Sequence, residues 1–334
     1  MEYLNGLEIN FYRRLSMNMK AMVISRFGGP EVFELQELPR PKPGPKQVLV
    51  KVYATSVNPV DYKIRQGTSR FPVKLPVVLG GDVSGVVEEL GPGVTDFKVG
   101  DEVYYSPGIG AGPGSYAEYN VASEEIISFK PGNLSHFEAA SIPLAGGTAW
   151  DGLVTRGKIQ LGESVLIHAG AGGVGSLAIQ IAKSTGAYVF TTCRSSNFDL
   201  VKSLGADYVI DYRSQDYVEV VLKETGGKGV DLMYDTVGGD TMSKCISLMK
   251  PYGRMVSIVN TTESLNPSYM KNLTIHFEMS PRYRAKLDML HTLLERKQIR
   301  PVIDSVLPLS QVAEAHRRLE QGGVRGKIVL DPNK

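Results

Sequence analysis

The chain has 334 residues, a length that suggests two domains, and its 42% hydrophobic and 22% charged residues are those of a globular protein that buries a core. A formal net charge of +2 gives no overall field for nucleic acid or acidic membranes, and no apolar run is long enough to span a bilayer. Two cysteines, Cys193 and Cys245, lie far apart and outside any C-x-x-C spacing, which argues against a disulfide framework or a structural zinc lobe and fits a reducing, cytoplasmic setting.

Residues 1–19 lack the apolar stretch of a signal peptide and are expected to form a loosely held extension. Arg13 and Arg14 faintly suggest a mitochondrial presequence, which Glu2 and Glu8 weaken. From Lys20 onward the pattern is regular. Short β-like segments at 21–24, 48–53, 83–90 and 102–105 are separated by glycine and proline. Pro39, Pro41, Pro43 and Pro45 mark an extended connection, and Leu90-Gly91-Pro92-Gly93-Val94 reads as a tight turn. The first third is therefore expected to be β-rich.

Near Gly147 the period changes. An apolar run at 165–167 is followed by a glycine cluster, a helical segment and a stop at Gly186. Strand-like segments at 188–192, 208–210, 230–234, 255–259 and 273–277 alternate with helical ones, which predicts a parallel sheet covered on both faces. Helices are expected at 285–295 and 309–319, and a closing strand at 327–330.

The segment Gly170-Ala171-Gly172-Gly173-Val174-Gly175 fits G-x-G-x-x-G between an expected strand and an expected helix. At such a turn the backbone approaches a pyrophosphate closely, and free N–H groups at the helix start bind its oxygens. An NAD site usually carries a carboxylate about 20 residues further on. Here the second strand ends Thr191-Thr192-Cys193-Arg194-Ser195-Ser196, with no carboxylate. Thr192, Arg194 and Ser195 are placed at the cofactor, and the guanidinium fork and hydroxyl suit a 2′-phosphate. NADPH is thus expected over NADH. A solvated surface arginine is the plainer alternative.

After residue 20 the chain resembles the medium-chain dehydrogenase/reductases along nearly its whole length. The resemblance is carried by Ser56-Val57-Asn58-Pro59-Val60-Asp61-Tyr62-Lys63, Leu79-Gly80-Gly81-Asp82-Val83, Val99-Gly100-Asp101-Glu102-Val103, Gly147-Thr148-Ala149-Trp150, the glycine turn, Asp235-Thr236-Val237-Gly238-Gly239 and Arg325-Gly326-Lys327-Ile328-Val329-Leu330. These motifs point to the quinone oxidoreductase and enone reductase branch. The resemblance implies an α/β protein in which a GroES-like β-rich catalytic domain (20–145 and 280–334) is interrupted by an inserted Rossmann domain, a doubly wound parallel sheet (146–279). It also implies a homodimer joined through the edge strand at 273–277.

Zinc-dependent members place a cysteine ligand where this chain has Asn58 and a histidine ligand where it has Gly81, so no metal is expected. Without a Lewis acid, hydride delivery to a quinone or an α,β-unsaturated carbonyl compound is the expected chemistry. The resemblance puts Asn58 close to nicotinamide and substrate. Lys63 aligns with a lysine of the plant-type enone reductases, where an ammonium can stabilise an enolate oxygen; a solvated lysine is the alternative reading. Tyr62 would point elsewhere in an extended segment. Thr148, Tyr212, Thr236, Val237, Ile258, Val259, Phe277 and Lys327 complete the expected cofactor site. Two rival functions remain: an enoyl-thioester reductase, and a weakly catalytic NADPH-binding, redox-responsive binder of RNA or protein.

Overall fold

The computed structural model describes residues 18–108 and 114–334. Residues 1–17 of the expected extension, and residues 109–113, lie outside the described residues. Contacts gather the chain into two units. One runs up to Leu144 and takes in 282–291 and 303–334; the other comprises 145–281 and 292–302. The sequence reading assigns all of 280–334 to the first unit, whereas 292–302 belongs with the second.

The first unit opens with β1 (Asn18–Ile24), β2 (Phe33–Pro39) and β3 (Gln47–Ser56). Val48, Leu49, Val50 and Val52 of β3 are all 0% exposed, so both faces of this central strand are buried. Each such side chain contributes about 1.5–3 kcal/mol of burial. Next comes a short helix, α1 (Pro59–Arg65), so the segment that carries Tyr62 and Lys63 is helical rather than extended. Pro59 occupies its first turn, where a missing N–H costs nothing. The Asp61 carboxylate returns to accept the Asn58 N–H at 2.8 Å, and Asn58 O accepts the Asp61 N–H at 2.9 Å. Strands β4 (Val77–Val78), β5 (Val83–Leu90), β6 (Glu102–Tyr105), β7 (Tyr119–Ser123) and β8 (Ser128–Phe129) follow. β1 lies between β2 and β4, while β3, β5, β6 and β8 pair in that order, with β7 also on β3.

The second unit is a six-stranded sheet of β9 (Ser164–Ile167), β10 (Tyr188–Cys193), β11 (Tyr208–Asp211), β12 (Val230–Asp235), β13 (Met249–Ser257) and β14 (Thr274–Phe277). Its order is β11-β10-β9-β12-β13-β14, and every pair is parallel. The direction of winding reverses between β9 and β12, which opens a crevice at the carboxyl ends of those strands. Helix α2 (Gly173–Ser184) follows β9 and buries residues 175–182. β13 begins six residues before the expected start. Pro251 and Gly253 read as a turn, but Tyr252 takes φ 63° in a local irregularity and pairing with β12 continues on both sides of it.

The chain then returns to the first unit with β15 (Ile303–Pro308), α3 (Val312–Gln321) and β16 (Lys327–Asp331). β15 pairs with β16, and β16 pairs antiparallel with β3, Val329 facing Ser56. Val312 and Ala315 on one stripe of α3 are fully buried with Ile24, Val57 and Leu330.

Candidate active site

The glycine turn sits at the carboxyl end of β9. The Gly170 N–H donates to Thr192 O at 3.0 Å, and Ala169 takes a left-handed φ of 53°. A Cβ at Gly170 would fall 2.1 Å from Thr191 Oγ1, and one at Gly175 would fall 2.2 Å from Ala169 O. Those two glycines are required by the protein's own packing. Gly172 differs: its Cβ would meet only Ala169 O, at 3.4 Å. Its bareness leaves room for something outside the chain. Among the described residues, the amides of Gly173, Val174 and Gly175 at the start of α2 have no protein acceptor. A bare rim above free donors fits a dinucleotide pyrophosphate.

At the next strand ends, Cys193 of β10 pairs with Asp211 of β11, which brings the following residues of each strand together. Arg194 Nε donates to the Tyr212 hydroxyl at 3.3 Å. This bond, the nearby Arg213 and the Arg194 charge hold the Tyr212 phenol below its ordinary range. Ser195 is exposed beside them. Arg213 was not among the sequence candidates; only the register places it here.

Other expected contacts fall differently. Thr192 is 3% exposed, and its hydroxyl accepts the Ala169 N–H at 3.2 Å and meets His168 Nδ1 at 3.1 Å. It buttresses the turn through these two bonds. Burial pushes His168 down to about 4, so the ring is neutral. Thr236 donates its hydroxyl to His168 O at 2.9 Å, while Val237 is 58% exposed. Behind them lies Asp235, absent from the sequence candidates and fully buried. One carboxylate oxygen accepts the Val237 and Gly238 amides at 2.9 Å, and the other accepts the Ser257 hydroxyl at 2.7 Å. Ile258 and Val259 are half-buried just past β13. Thr148 is half-buried, and its carbonyl accepts the Tyr234 hydroxyl at 2.9 Å. Phe277 is 57% exposed on β14, the edge strand of its sheet.

In the first unit, Asn58 is the hub of a buried polar cluster. It is 4% exposed, and its Nδ2 donates to Asp82 Oδ2 at 2.7 Å and, more weakly, to Ser56 O at 3.4 Å. Its Oδ1 accepts from Lys327 Nζ. Lys327, expected on the cofactor, is 5% exposed and engaged within its own unit by Val57 O at 2.9 Å, Asn58 Oδ1 and Asp82 Oδ2 at 3.3 Å. Asp82 also accepts from the Ser56 hydroxyl at 2.6 Å and the Leu144 amide at 2.7 Å. Nearby, Asp61 Oδ2 accepts from the Tyr116 hydroxyl at 2.9 Å, and that hydroxyl lies 3.1 Å from His316 Nε2. Tyr116 and His316 stand 200 positions apart, and no local pattern in the sequence joins them. Lys63 is exposed near the end of α1, where a cation also suits the helix dipole. Among the described residues its ammonium has no ion-pair partner.

Two family models match the chain: Alcohol dehydrogenase GroES-like domain over residues 44–132 and Zinc-binding dehydrogenase over 204–330. Human quinone oxidoreductase is 35% identical over 324 residues, covering 93% of this chain and 97% of its own. A chloroplastic NADPH-dependent alkenal/one oxidoreductase of Arabidopsis thaliana is 37% identical, covering 94% and 80%. The solved quinone oxidoreductase of Coxiella burnetii superposes with a TM-score of 0.86 at 37% identity, over 94% of this chain and 99% of that one. The chain belongs to the medium-chain dehydrogenase/reductase superfamily, in its quinone oxidoreductase branch. It is an oxidoreductase, and its family uses a nicotinamide cofactor.

The second family model is named for zinc, but the residues here do not fit that metal. At the two ligand positions of the zinc-dependent members stand an amide already engaged with Lys327 and Asp82, and a glycine. Among the described residues, no group of three or more His, Cys, Asp or Glu side chains is arranged to share a metal ion. Also among them, no helix is long and apolar enough to cross a membrane.

Proposed function

We propose that the chain reduces quinones or α,β-unsaturated carbonyl compounds with NADPH and without a metal. The observation that carries this reading is the pairing of a glycine turn with unclaimed amides and a carboxylate-free second strand end, where Arg194, Tyr212 and Arg213 gather. NADPH supplies the hydride. The amides of 173–175 and the bare rim at Gly172 would hold its pyrophosphate. Arg194 and Tyr212, with Ser195, would take the 2′-phosphate, and Thr148, Val237, Ile258, Val259 and Phe277 would supply contacts along the rest of the molecule. Thr236 and Thr192 act behind the surface by fixing the turn.

As hydride arrives, negative charge grows on the acceptor's oxygen, and a donor aimed there lowers the barrier. Asn58 supplies that donor. One of its amide protons is held firmly by Asp82, while the other has only the long 3.4 Å contact with Ser56 O and is free to turn to substrate. Lys63, with its unpaired ammonium, is the proton source for the reduced product.

Turnover of a simple quinone, an enone and an enoyl thioester with each pyridine nucleotide tests the reading. NADPH-dependent reduction of the quinone or enone that survives exhaustive chelation supports it. Preference for the thioester redirects the substrate class, and activity lost with a stoichiometric metal refutes the metal-free chemistry. We further assign a homodimer joined through β14, whose edge presents unpaired backbone groups and an exposed Phe277. Sedimentation at a monomer mass would refute it. A cytoplasmic, reducing setting accords with two free, buried thiols.

A further inference from the structure

A buried, charged cluster of the first unit is built around Lys327. β16 pairs with β3 so that Val329 faces Ser56, and this register brings Lys327 beside the chain at 56–58. An ammonium has three protons, and here three acceptors surround it: Val57 O, Asn58 Oδ1 and Asp82 Oδ2. Asp82 is 0% exposed, and a carboxyl group so deep is costly to leave without a partner, which Lys327 provides. A Cβ at Gly81 would lie 3.5 Å from Asn58 Nδ2. The two positions that carry ligands in the zinc-dependent members thus face each other, and the positive charge beside them is a side chain of the protein itself.

We propose that Lys327 is a positioning residue, an internal cation that with Asp82 locks the Asn58 amide in one orientation and polarises its remaining N–H toward substrate. The lock follows from donor and acceptor chemistry. Lys327 can only donate, and Asp82 Oδ2 accepts from both Asn58 Nδ2 and Lys327, so the amide cannot flip without placing its NH2 against the ammonium and its oxygen against the carboxylate. Polarisation follows because a donor on Oδ1 strengthens the bonds that Nδ2 makes. The proposal rests on Asn58 acting on substrate, as proposed above, and it takes Lys327 out of the cofactor's binding groups.

A double-mutant cycle tests it, with kcat and KM for a simple quinone, NADPH affinity by titration, and the melting temperature measured for each protein. Lys327→Met is expected to lower kcat about tenfold or more while changing NADPH affinity less than about threefold. In an Asn58→Ala background the same change is expected to lower kcat by less than about twofold, because the group being positioned is gone. If Lys327→Met does not fold, the charge-neutral Lys327→Met/Asp82→Asn pair takes its place in the cycle. Additive losses in kcat overturn the inference alone, as does a collapse of NADPH affinity with kcat retained. An Asn58→Ala protein with undiminished kcat removes the role given to Asn58 and this inference with it.

Discussion

Tyr116 donates its hydroxyl proton to Asp61 Oδ2 at 2.9 Å, between side chains that are 0% and 2% exposed. Two opposed effects meet at that carboxylate. Burial disfavours its charge, whereas the Asn58 amide, the Tyr116 hydroxyl and the Lys327 charge favour it. Burial wins and raises Asp61 to about 6. A carboxyl raised in the folded state binds more protons there than in the unfolded chain, so its contribution to stability is full below about pH 4 and is lost as pH rises through about 6. His168 and His316, pushed down by burial to about 4 and about 3, tilt stability the other way, their share being lost as pH falls. The difference between the parent and Asp61→Asn isolates the carboxyl. Between about pH 4 and 6 the parent should lose stability relative to the variant, by up to about 1.4 kcal/mol per pH unit. Denaturant midpoints across that range check this, and parallel curves would contradict it.

The glycines of the turn separate packing from ligand binding. Gly175→Ala drives a methyl against the backbone at Ala169 and should destabilise the fold by about 1–3 kcal/mol. Gly172→Ala meets nothing closer than 3.4 Å, and its φ of −81° suits alanine, so the fold should keep its stability within about 0.5 kcal/mol. The same methyl intrudes where pyrophosphate would approach, and NADPH affinity should fall about tenfold or more. Thermal melts and cofactor titrations on both variants decide. Full cofactor affinity in Gly172→Ala would place the pyrophosphate elsewhere.

At the far end of the cofactor, Arg194→Ala should raise the KM for NADPH about tenfold or more and leave that for NADH within about twofold. Tyr212→Phe removes the hydroxyl that Arg194 Nε meets and should give a smaller loss of the same selectivity. Equal KM values for the two nucleotides in the parent protein would refute the assignment.

Most of the architecture was legible because it follows from local pattern. The strands at 83–90 and 102–105 coincide with β5 and β6, and the helix after the glycine turn ends at a Gly186 with φ 77°. β13 was partly hidden because Pro251-Tyr252-Gly253 carries the signature of a turn while sitting within a paired strand. The glycine turn was readable for the same local reason, but the groups supporting it were not. Thr192 supports it and Asp235 supports the neighbouring bend at 237–238, and only the pairing of β9, β10 and β12 decides which side a strand-end residue faces. Lys327 shows the limit most clearly. Nothing near Lys327 in the chain announces its partner Asp82, 245 positions away.

The last prediction concerns a second buried cation. Arg65 is 0% exposed and donates through Nη2 to Glu320 Oε1 at 2.7 Å, tying α1 to α3, while its Nε and Nη1 are buried without partners among the described residues. A buried ion pair adds little over a well-packed apolar side chain, because desolvation offsets the attraction; removing one partner is a different matter. Glu320→Ala should destabilise the protein by about 2–3 kcal/mol, since it strands a guanidinium already short of acceptors. Arg65→Met leaves Glu320, a quarter exposed, to water and Gln66, and should cost under about 1 kcal/mol or stabilise. Urea unfolding of the two variants gives the comparison. A larger loss in Arg65→Met than in Glu320→Ala would mean that the guanidinium has acceptors beyond Glu320 and that the pair is a genuine clamp between the two helices.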